Sequence, residues 1–247
     1  MIEILSPTAY IISGISGLAF INHIQVGFRN PKEIKHFLFA AMCLSATVFA
    51  PTNIGVLTAE SALQSVQAFK LSYPFFALFL ICMLWFVAVY THKRPLPLLV
   101  GISFLYLLSI VVNYLQPYGL QFEELTGIKK TKLPWGETYA ITEGLPTVWF
   151  RLTVLTFLIQ VGYMFNAMVS FINHQQNRQS ISMLLALVFF VAATIPEYVV
   201  APVVLVVCRA SAPCRFSFSS SAVSHCWVIS RGGANDDIPP RGVSLLG

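Results

Sequence analysis

The sequence predicts an all-α polytopic membrane protein of about six transmembrane helices, with a small β-hairpin in the extracytoplasmic loop between the fourth and fifth. Hydrophobic residues make up 56% of the 247 residues and charged residues only 10%, whereas soluble domains carry about 25% charged residues. The apolar residues form runs of the roughly 20 residues that a helix needs to cross a bilayer. This composition excludes an ordinary soluble enzyme, a disordered chain and a nucleic-acid-binding protein with a basic face.

Six apolar runs are candidate spans, and the lipid bilayer is their expected partner. They cover residues 8–28, 37–57, 71–90, 96–115, 148–172 and 181–207. The first run has no basic segment before it, so we expect it to be retained as a span. The connections after spans one, three and five hold six basic residues and one acid, namely Arg29, Lys32, Lys35, Lys93, Arg94, Arg178 and Glu33. By the positive-inside rule these connections are cytoplasmic, and the N-terminus lies outside.

The loop over residues 116–147 carries the pattern of a β-hairpin. In order it holds a helix stop with a turn, a loosely alternating segment, a second turn and a β-prone segment, at residues 116–119, 128–133, 134–137 and 138–142. Trp135 then lies near the tip of the hairpin. A loop of this length is usually functional or disordered, and the hairpin pattern argues against disorder.

The hairpin loop is the candidate sensing surface. We expect an outer surface formed by Tyr118, Phe122, Trp135, Glu137 and Tyr139. The alternative is a hairpin that only packs on the outer ends of the spans, with its aromatic residues in the interfacial belt. Residues 61–70, just before span three, are predicted to form a separate short amphipathic helix at the same interface.

Polar residues within the spans are the second group of candidates, because polar groups in hydrocarbon need partners. This group consists of Asn22, His23, Asn113, Gln160, Asn166 and Glu197. Hydrogen bonds between helices are the simplest explanation of the amides. His23 could sense protons or bind a metal, but no second ligand follows it at the spacing of one helical turn.

Neither catalysis nor a cofactor is predicted. The five cysteines show no zinc spacing. The sequence contains no HExxH or GxSxG motif and no phosphate-binding glycine loop. We therefore expect a protein that is not an enzyme and has no metal site.

The last part of the chain differs in character from the rest. From about Ala201 onward Cys, Ser, Arg, Gly and Pro are enriched together without a period, a composition that builds no packed element. We expect a membrane bundle over residues 1–207 and a disordered or out-of-frame tail over residues 208–247.

The chain over residues 11–198 resembles the N-terminal membrane-sensor region of bacterial sensor histidine kinases, whose relatives precede PAS or diguanylate cyclase domains. The most specific similarity is the pair Gln116-Pro-Tyr-Gly and Leu133-Pro-Trp-Gly-Glu in the loop after span four. Further similar stretches are 17–29, 36–45, 85–91 and 113–122.

The resemblance implies an input device of two-component signal transduction in the bacterial inner membrane. About seven spans then precede PAS and kinase modules, a homodimer is expected, and the signal is an unknown extracytoplasmic or membrane-borne one. This chain departs from the pattern, because no seventh span is recognisable and no phosphoacceptor histidine or ATP-binding motif follows.

One alternative function remains open at this point. A small transporter or channel would be lined by Asn113, Gln160, Asn166 and Glu197. For the homodimer, Ser13 and Gly17 are the one candidate pair of small residues at the spacing of a helix interface.

Overall fold

The computed structural model describes residues 5–132 and 138–175. These residues form five helices and two strands: α1 Leu5–Arg29, α2 Ile34–Leu57, α3 Ala62–Tyr90, α4 Leu96–Leu115, β1 Phe122–Lys132, β2 Thr138–Pro146 and α5 Val148–Gln175. Each helix contains a stretch long enough and apolar enough to cross a membrane. The prediction of a helical membrane bundle with a small antiparallel hairpin is confirmed to this extent. The predicted sixth span, at 181–207, lies outside the described residues.

Helix α3 is the central element of the described bundle. It contacts α2, α4, α5 and both strands, whereas α1 packs chiefly on α2. Half of the apolar stretch of α3 is buried within the protein, against 6% of that of α1. Because the exposed side chains of α1 are large and apolar, as at Ile15 and Leu18, this surface suits contact with lipid.

The separate interfacial helix predicted at residues 61–70 is wrong, because α3 runs unbroken through this segment. Ser61 caps the helix by accepting a hydrogen bond from the Gln64 backbone N–H (3.2 Å), and the Gln64 side chain accepts one from the Glu60 N–H (3.0 Å). No glycine or proline interrupts residues 62–73, and Val66 and Phe69 are buried. With 29 residues, α3 is roughly 44 Å long, so it extends beyond a hydrocarbon core of about 30 Å.

The core lies where α3, α4 and α5 meet. Its fully buried large side chains come from all three helices, and among them are Leu80, Leu84, Leu99, Tyr106, Met164 and Met168. Both core residues named from α5 are methionines, whose unbranched side chains adapt to irregular packing.

Two prolines lie inside helices, Pro51 in α2 and Pro74 in α3, and each leaves a backbone carbonyl free to bond to another helix. A proline has no N–H, so the carbonyl four residues earlier loses its helical partner. Pro51 in α2 releases the Thr47 carbonyl, and the Ser13 hydroxyl of α1 donates to it (2.7 Å). Gly17 lies against the same threonine. Ser13 and Gly17, the pair expected at a dimer interface, are therefore used within the chain.

The hairpin is longer than the sequence predicted. Strands β1 and β2 pair antiparallel from Phe122 opposite Pro146 to Lys132 opposite Thr138, with two irregularities near the base. At the base the Phe122 ring lies over Gly144, where a side chain would collide with this ring and with the Glu124 carbonyl. An aromatic ring that covers a glycine on the neighbouring strand is a known way to stabilise such a pair.

Candidate functional site

The hairpin is joined to the helices by a network of hydrogen bonds at the end of α4. Asn113 is completely buried there. Its side-chain amide donates to the Lys70 carbonyl of α3 (3.1 Å), and its side-chain oxygen accepts from the Leu120 N–H (3.0 Å). The Lys70 carbonyl is free to accept because Pro74 cannot donate to it. One amide thus replaces a missing helical bond and orients the chain that leads into the hairpin.

Lys70 and Gly119 complete the end of α4. The Lys70 ammonium donates to the Gln116 carbonyl (2.6 Å), and a positive charge is favourable at a helix C-terminus. The Gly119 N–H also bonds to the Gln116 carbonyl (3.3 Å). Gly119 has a φ of 72°, and a Cβ at this position would lie 3.2 Å from the side-chain oxygen of Asn113. The backbone angle favours a glycine, and the space for a Cβ is tight.

Thr147 attaches the start of α5 to the same network. Its hydroxyl donates to the Leu120 carbonyl and accepts from the Phe150 N–H (2.9 Å) as a helix cap, and its own N–H donates to the Gln121 carbonyl (3.0 Å). We call this group the hairpin junction; its members are Lys70, Asn113, Gln116, Gly119, Leu120, Gln121 and Thr147. The junction connects α3, α4 and α5 at the point where the hairpin begins and ends.

One face of β2 rests on α3. Ala140 is buried, and the Thr142 hydroxyl bonds to the buried Ser65 hydroxyl (2.7 Å). Because side chains alternate along a strand, Tyr139 and Ile141 lie on the opposite face. The half-buried Tyr139 is paired in register with Thr131. The hairpin thus has one face attached to the bundle and one face directed away from α3.

The predicted sensing residues are only partly brought together. Tyr118 is half-buried in the turn after α4, the Phe122 ring covers Gly144, and Tyr139 lies further along the hairpin. Trp135 and Glu137 lie outside the described residues. The junction residues Lys70 and Thr147 were not predicted from the sequence.

Below the junction lies a short polar contact inside the bundle. The buried Tyr73 and Ser109 hydroxyls are 2.6 Å apart, and Ser109 also donates to the Tyr106 carbonyl (2.7 Å). A small cleft between α4 and α5 adjoins them, lined by Leu105, Tyr106, Leu108, Ser109, Trp149, Leu152, Thr153 and Thr156. Its volume of about 10 Å³ corresponds to about one water molecule.

The predicted intramembrane polar residues have different surroundings. Gln160 is completely buried and donates to the Leu80 carbonyl (2.9 Å), while its side-chain oxygen has no partner among the described residues. Asn166 and Asn22 are exposed on their helices. Glu197 lies outside the described residues. Asn113 and Gln160 therefore both bond to carbonyls of α3, as packing residues do.

His23 has a partner that the sequence analysis missed. At the end of the bundle opposite the hairpin, its Nδ1 lies 3.2 Å from Nδ1 of His36, across the turn between α1 and α2. The His23 ring also packs on Phe39, with centroids 4.4 Å apart. Glu33 contacts both Lys35 (3.2 Å) and His36 Nε2 (3.1 Å). The short connection between the two helices was the signal for this proximity.

Aromatic rings connect the helices at this opposite end. Phe39 of α2 packs near Phe86 of α3 (5.8 Å between centroids), Phe86 near Tyr90, and Tyr90 near Phe171 of α5 (5.3 Å). The Tyr163 hydroxyl of α5 donates to the Lys93 carbonyl in the connection between α3 and α4 (2.6 Å). Contacts thus run across the bundle at both of its ends.

Within the described ranges, no three His, Cys, Asp or Glu side chains gather as metal ligands. Comparisons of the whole chain with protein family models, with curated proteins and with solved structures gave no match.

Proposed function

We propose that the chain is the membrane input module of a bacterial signal-transduction protein, resembling the N-terminal part of a sensor histidine kinase. The observation that carries the proposal is the hairpin junction. A hairpin that merely covered the helix ends would need no such attachment, whereas this one is bonded to three helices by buried groups. The module resides in the inner membrane with its N-terminus and hairpin outside, as the positive-inside rule implies.

The proposed mechanism is a shift between two arrangements of the helices. A signal that binds at the face of the hairpin bearing Tyr139, together with Tyr118, Phe122, Trp135 and Glu137, stabilises one position of the hairpin. Asn113 and Lys70 bond the chain that leads into the hairpin to α3 and α4. A change in the position of the hairpin therefore moves the first turns of α3. A ligand shifts such an equilibrium only by its difference in affinity for the two states.

The relay to the other end would run along α3. This helix carries the junction near its start and the rings of Phe86 and Tyr90 near its end. A displacement of α3 therefore changes its contacts with Phe39 of α2 and Phe171 of α5. Helix displacements in switching proteins are typically about 1–2 Å.

The experiment measures whether a change at the junction reaches the opposite end. Spin labels are placed on the exposed Lys32 and Arg94 positions after replacement of the native cysteines, and their distance is measured by pulsed electron paramagnetic resonance in nanodiscs. We expect Asn113→Ala to shift the distance by about 1–2 Å or to add a second population. Asn166→Ala is the matched control, since it removes an exposed amide outside the junction.

Tryptic cleavage at Lys129 and Lys130 reports whether the hairpin has been released. Faster cleavage in Asn113→Ala together with an unchanged label distance would contradict the proposal, because the hairpin would then move without affecting the helices. A shift in the Asn166→Ala control as large as in Asn113→Ala would contradict it as well.

The transporter or channel alternative receives less support from the described residues. Two of its four proposed lining residues, Asn113 and Gln160, are buried and bonded to backbone carbonyls of α3. Solute flux into proteoliposomes that is lost on Glu197→Gln would favour this alternative over the sensor.

A further inference from the structure

The histidine pair at the turn between α1 and α2 has the spacing of two ligands on one metal ion. Zinc–nitrogen bonds are about 2.0–2.1 Å and structural sites are tetrahedral, so two ligand nitrogens lie about 3.3–3.4 Å apart. The two Nδ1 atoms of His23 and His36 are 3.2 Å apart. Without a metal ion, one imidazole donates its Nδ1 proton to the other. A metal ion would bind both nitrogens after loss of that proton, to one side of the line between them, because it needs about 2.0–2.1 Å to each.

Glu33 supplies the outer contact that metal-binding histidines usually have. Its carboxylate lies 3.1 Å from Nε2 of His36, on the side of the ring away from His23. The same carboxylate also lies 3.2 Å from the Lys35 ammonium. A carboxylate that accepts the second N–H of a histidine fixes the tautomer and orients the ring toward the metal.

The two helices are held close together at this point. A Cβ on Gly27 would lie 3.1 Å from the Phe37 ring. Phe28 packs edge-on against the same ring, with centroids 5.7 Å apart. The His23 ring is flanked by Phe39 at 4.4 Å. The two imidazoles are therefore positioned by packing, which reduces the cost of ordering them around an ion.

We propose that His23 and His36 bind a divalent transition metal ion through their Nδ1 atoms, with Glu33 positioning His36. Since no third His, Cys, Asp or Glu of the described ranges completes the site, water or an external ligand occupies the remaining positions. Imidazole ligands suit Zn²⁺, Ni²⁺ and Cu²⁺, whereas Mg²⁺ and Ca²⁺ prefer oxygen. The site is therefore open and exchangeable, unlike a closed structural zinc site.

The test is a zinc titration of the full chain in detergent micelles by isothermal calorimetry. The chain carries no polyhistidine tag, and its five cysteines are replaced by serine so that thiolates do not contribute. We expect one Zn²⁺ per chain, with affinity at least about tenfold lower in His23→Gln and in His36→Gln, since each removes one of two protein ligands and the loss of an outer partner alone costs about that much. Glu33→Gln should weaken binding by about 10-fold or more, as loss of an outer partner usually does.

His92→Gln is the matched control, because His92 is an exposed histidine in the connection between α3 and α4 and its loss should leave the affinity unchanged. Thermal unfolding without zinc checks that each variant is folded, and the visible spectrum of bound Co²⁺ reports the ligand set in any variant that is destabilised. Absence of saturable Zn²⁺ binding, or binding that survives both His23→Gln and His36→Gln, would overturn the proposal. Neither result depends on whether the hairpin is coupled to the helices.

Discussion

The two ends of the described bundle are held together by different chemistry. At the hairpin end, backbone groups bond to Asn113, Thr147 and the Lys70 ammonium, and the junction contains no histidine or carboxylate. At the opposite end, an imidazole pair and a series of aromatic rings connect the helices. The bonds of the first set are made by amide, hydroxyl and ammonium groups, whereas the second set contains a bond between two imidazoles that depends on a proton. Protons can therefore affect the contacts at the opposite end directly, whereas they do not act on the contacts of the hairpin junction in this way.

The largest expected effect is that of Asn113→Ala at the hairpin end. The substitution leaves the Lys70 carbonyl and the Leu120 N–H without their partner, and buried groups without partners cost about 1–3 kcal/mol each. We expect the free energy of unfolding in bicelles to fall by about 2–3 kcal/mol. Asn166→Ala should change it by less than about 0.5 kcal/mol, as surface substitutions do. Equal losses of unfolding free energy in the two variants would show that the bonds of Asn113 stabilise the protein no more than an exposed amide does.

Gly119→Ala should have the next largest effect. An alanine at a φ of 72° costs roughly 1–2 kcal/mol, and its Cβ would press on the side-chain oxygen of Asn113. We expect a loss of that size in the same unfolding measurement, together with faster tryptic cleavage of the hairpin. Gly101→Ala, at a helical position with open space around it, is the control. An unchanged hairpin in Gly119→Ala would mean that the turn can adopt another conformation.

Acidification should have the smallest effect and should act at the opposite end only. Histidines gain charge between about pH 8 and 5, and once both imidazoles are protonated, two donors face each other. The contact between His23 and His36 is therefore present at higher pH and lost at lower pH. The charged groups beside this pair are Glu33, which contacts His36, and Lys35, which contacts Glu33.

The loss of this one hydrogen bond is worth about 1 kcal/mol, or about a fivefold change in hydrogen exchange of amides in the turn between α1 and α2. The second proton enters the pair against the charge of the first, so the comparison extends down to about pH 5. After correction for intrinsic rates, the hairpin amides should show no such change over the same pH range. The response should disappear in His23→Phe. A response that persists in that variant, or an equal response at the hairpin, would contradict the contrast between the two ends.

Much of the architecture could be predicted from local sequence patterns. Apolar length located five helices to within a few residues at most ends, and turn chemistry around Gln116 and Gly119 located the end of α4. The hairpin was predictable from the alternation of polar and apolar residues, because successive side chains of a strand point to opposite faces. The start of α3 was wrong because the polar residues of 61–70 indicated a separate element, although nothing in that segment breaks a helix.

Local sequence patterns could not predict most of the contacts between helices and strands. His36 lies 13 residues from His23, so a search for partners at one helical turn could not find it. Thr147 and Ser65 are ordinary in sequence and gain their roles only through the hairpin register. The partner of Asn113 could have been predicted. Pro74 has no N–H, so the Lys70 carbonyl lacks its helical partner and needs a polar side chain to donate to it.

The two prolines also constrain the order in which the nascent chain can assemble. A carbonyl that is buried without a partner is costly. The acceptor at Thr47 meets a donor on α1, which the ribosome has already delivered when α2 appears. The acceptor at Lys70 must wait for Asn113, which is translated 43 residues later. The first helix pair can thus close during synthesis, whereas α3 reaches its final state only together with α4 and the hairpin.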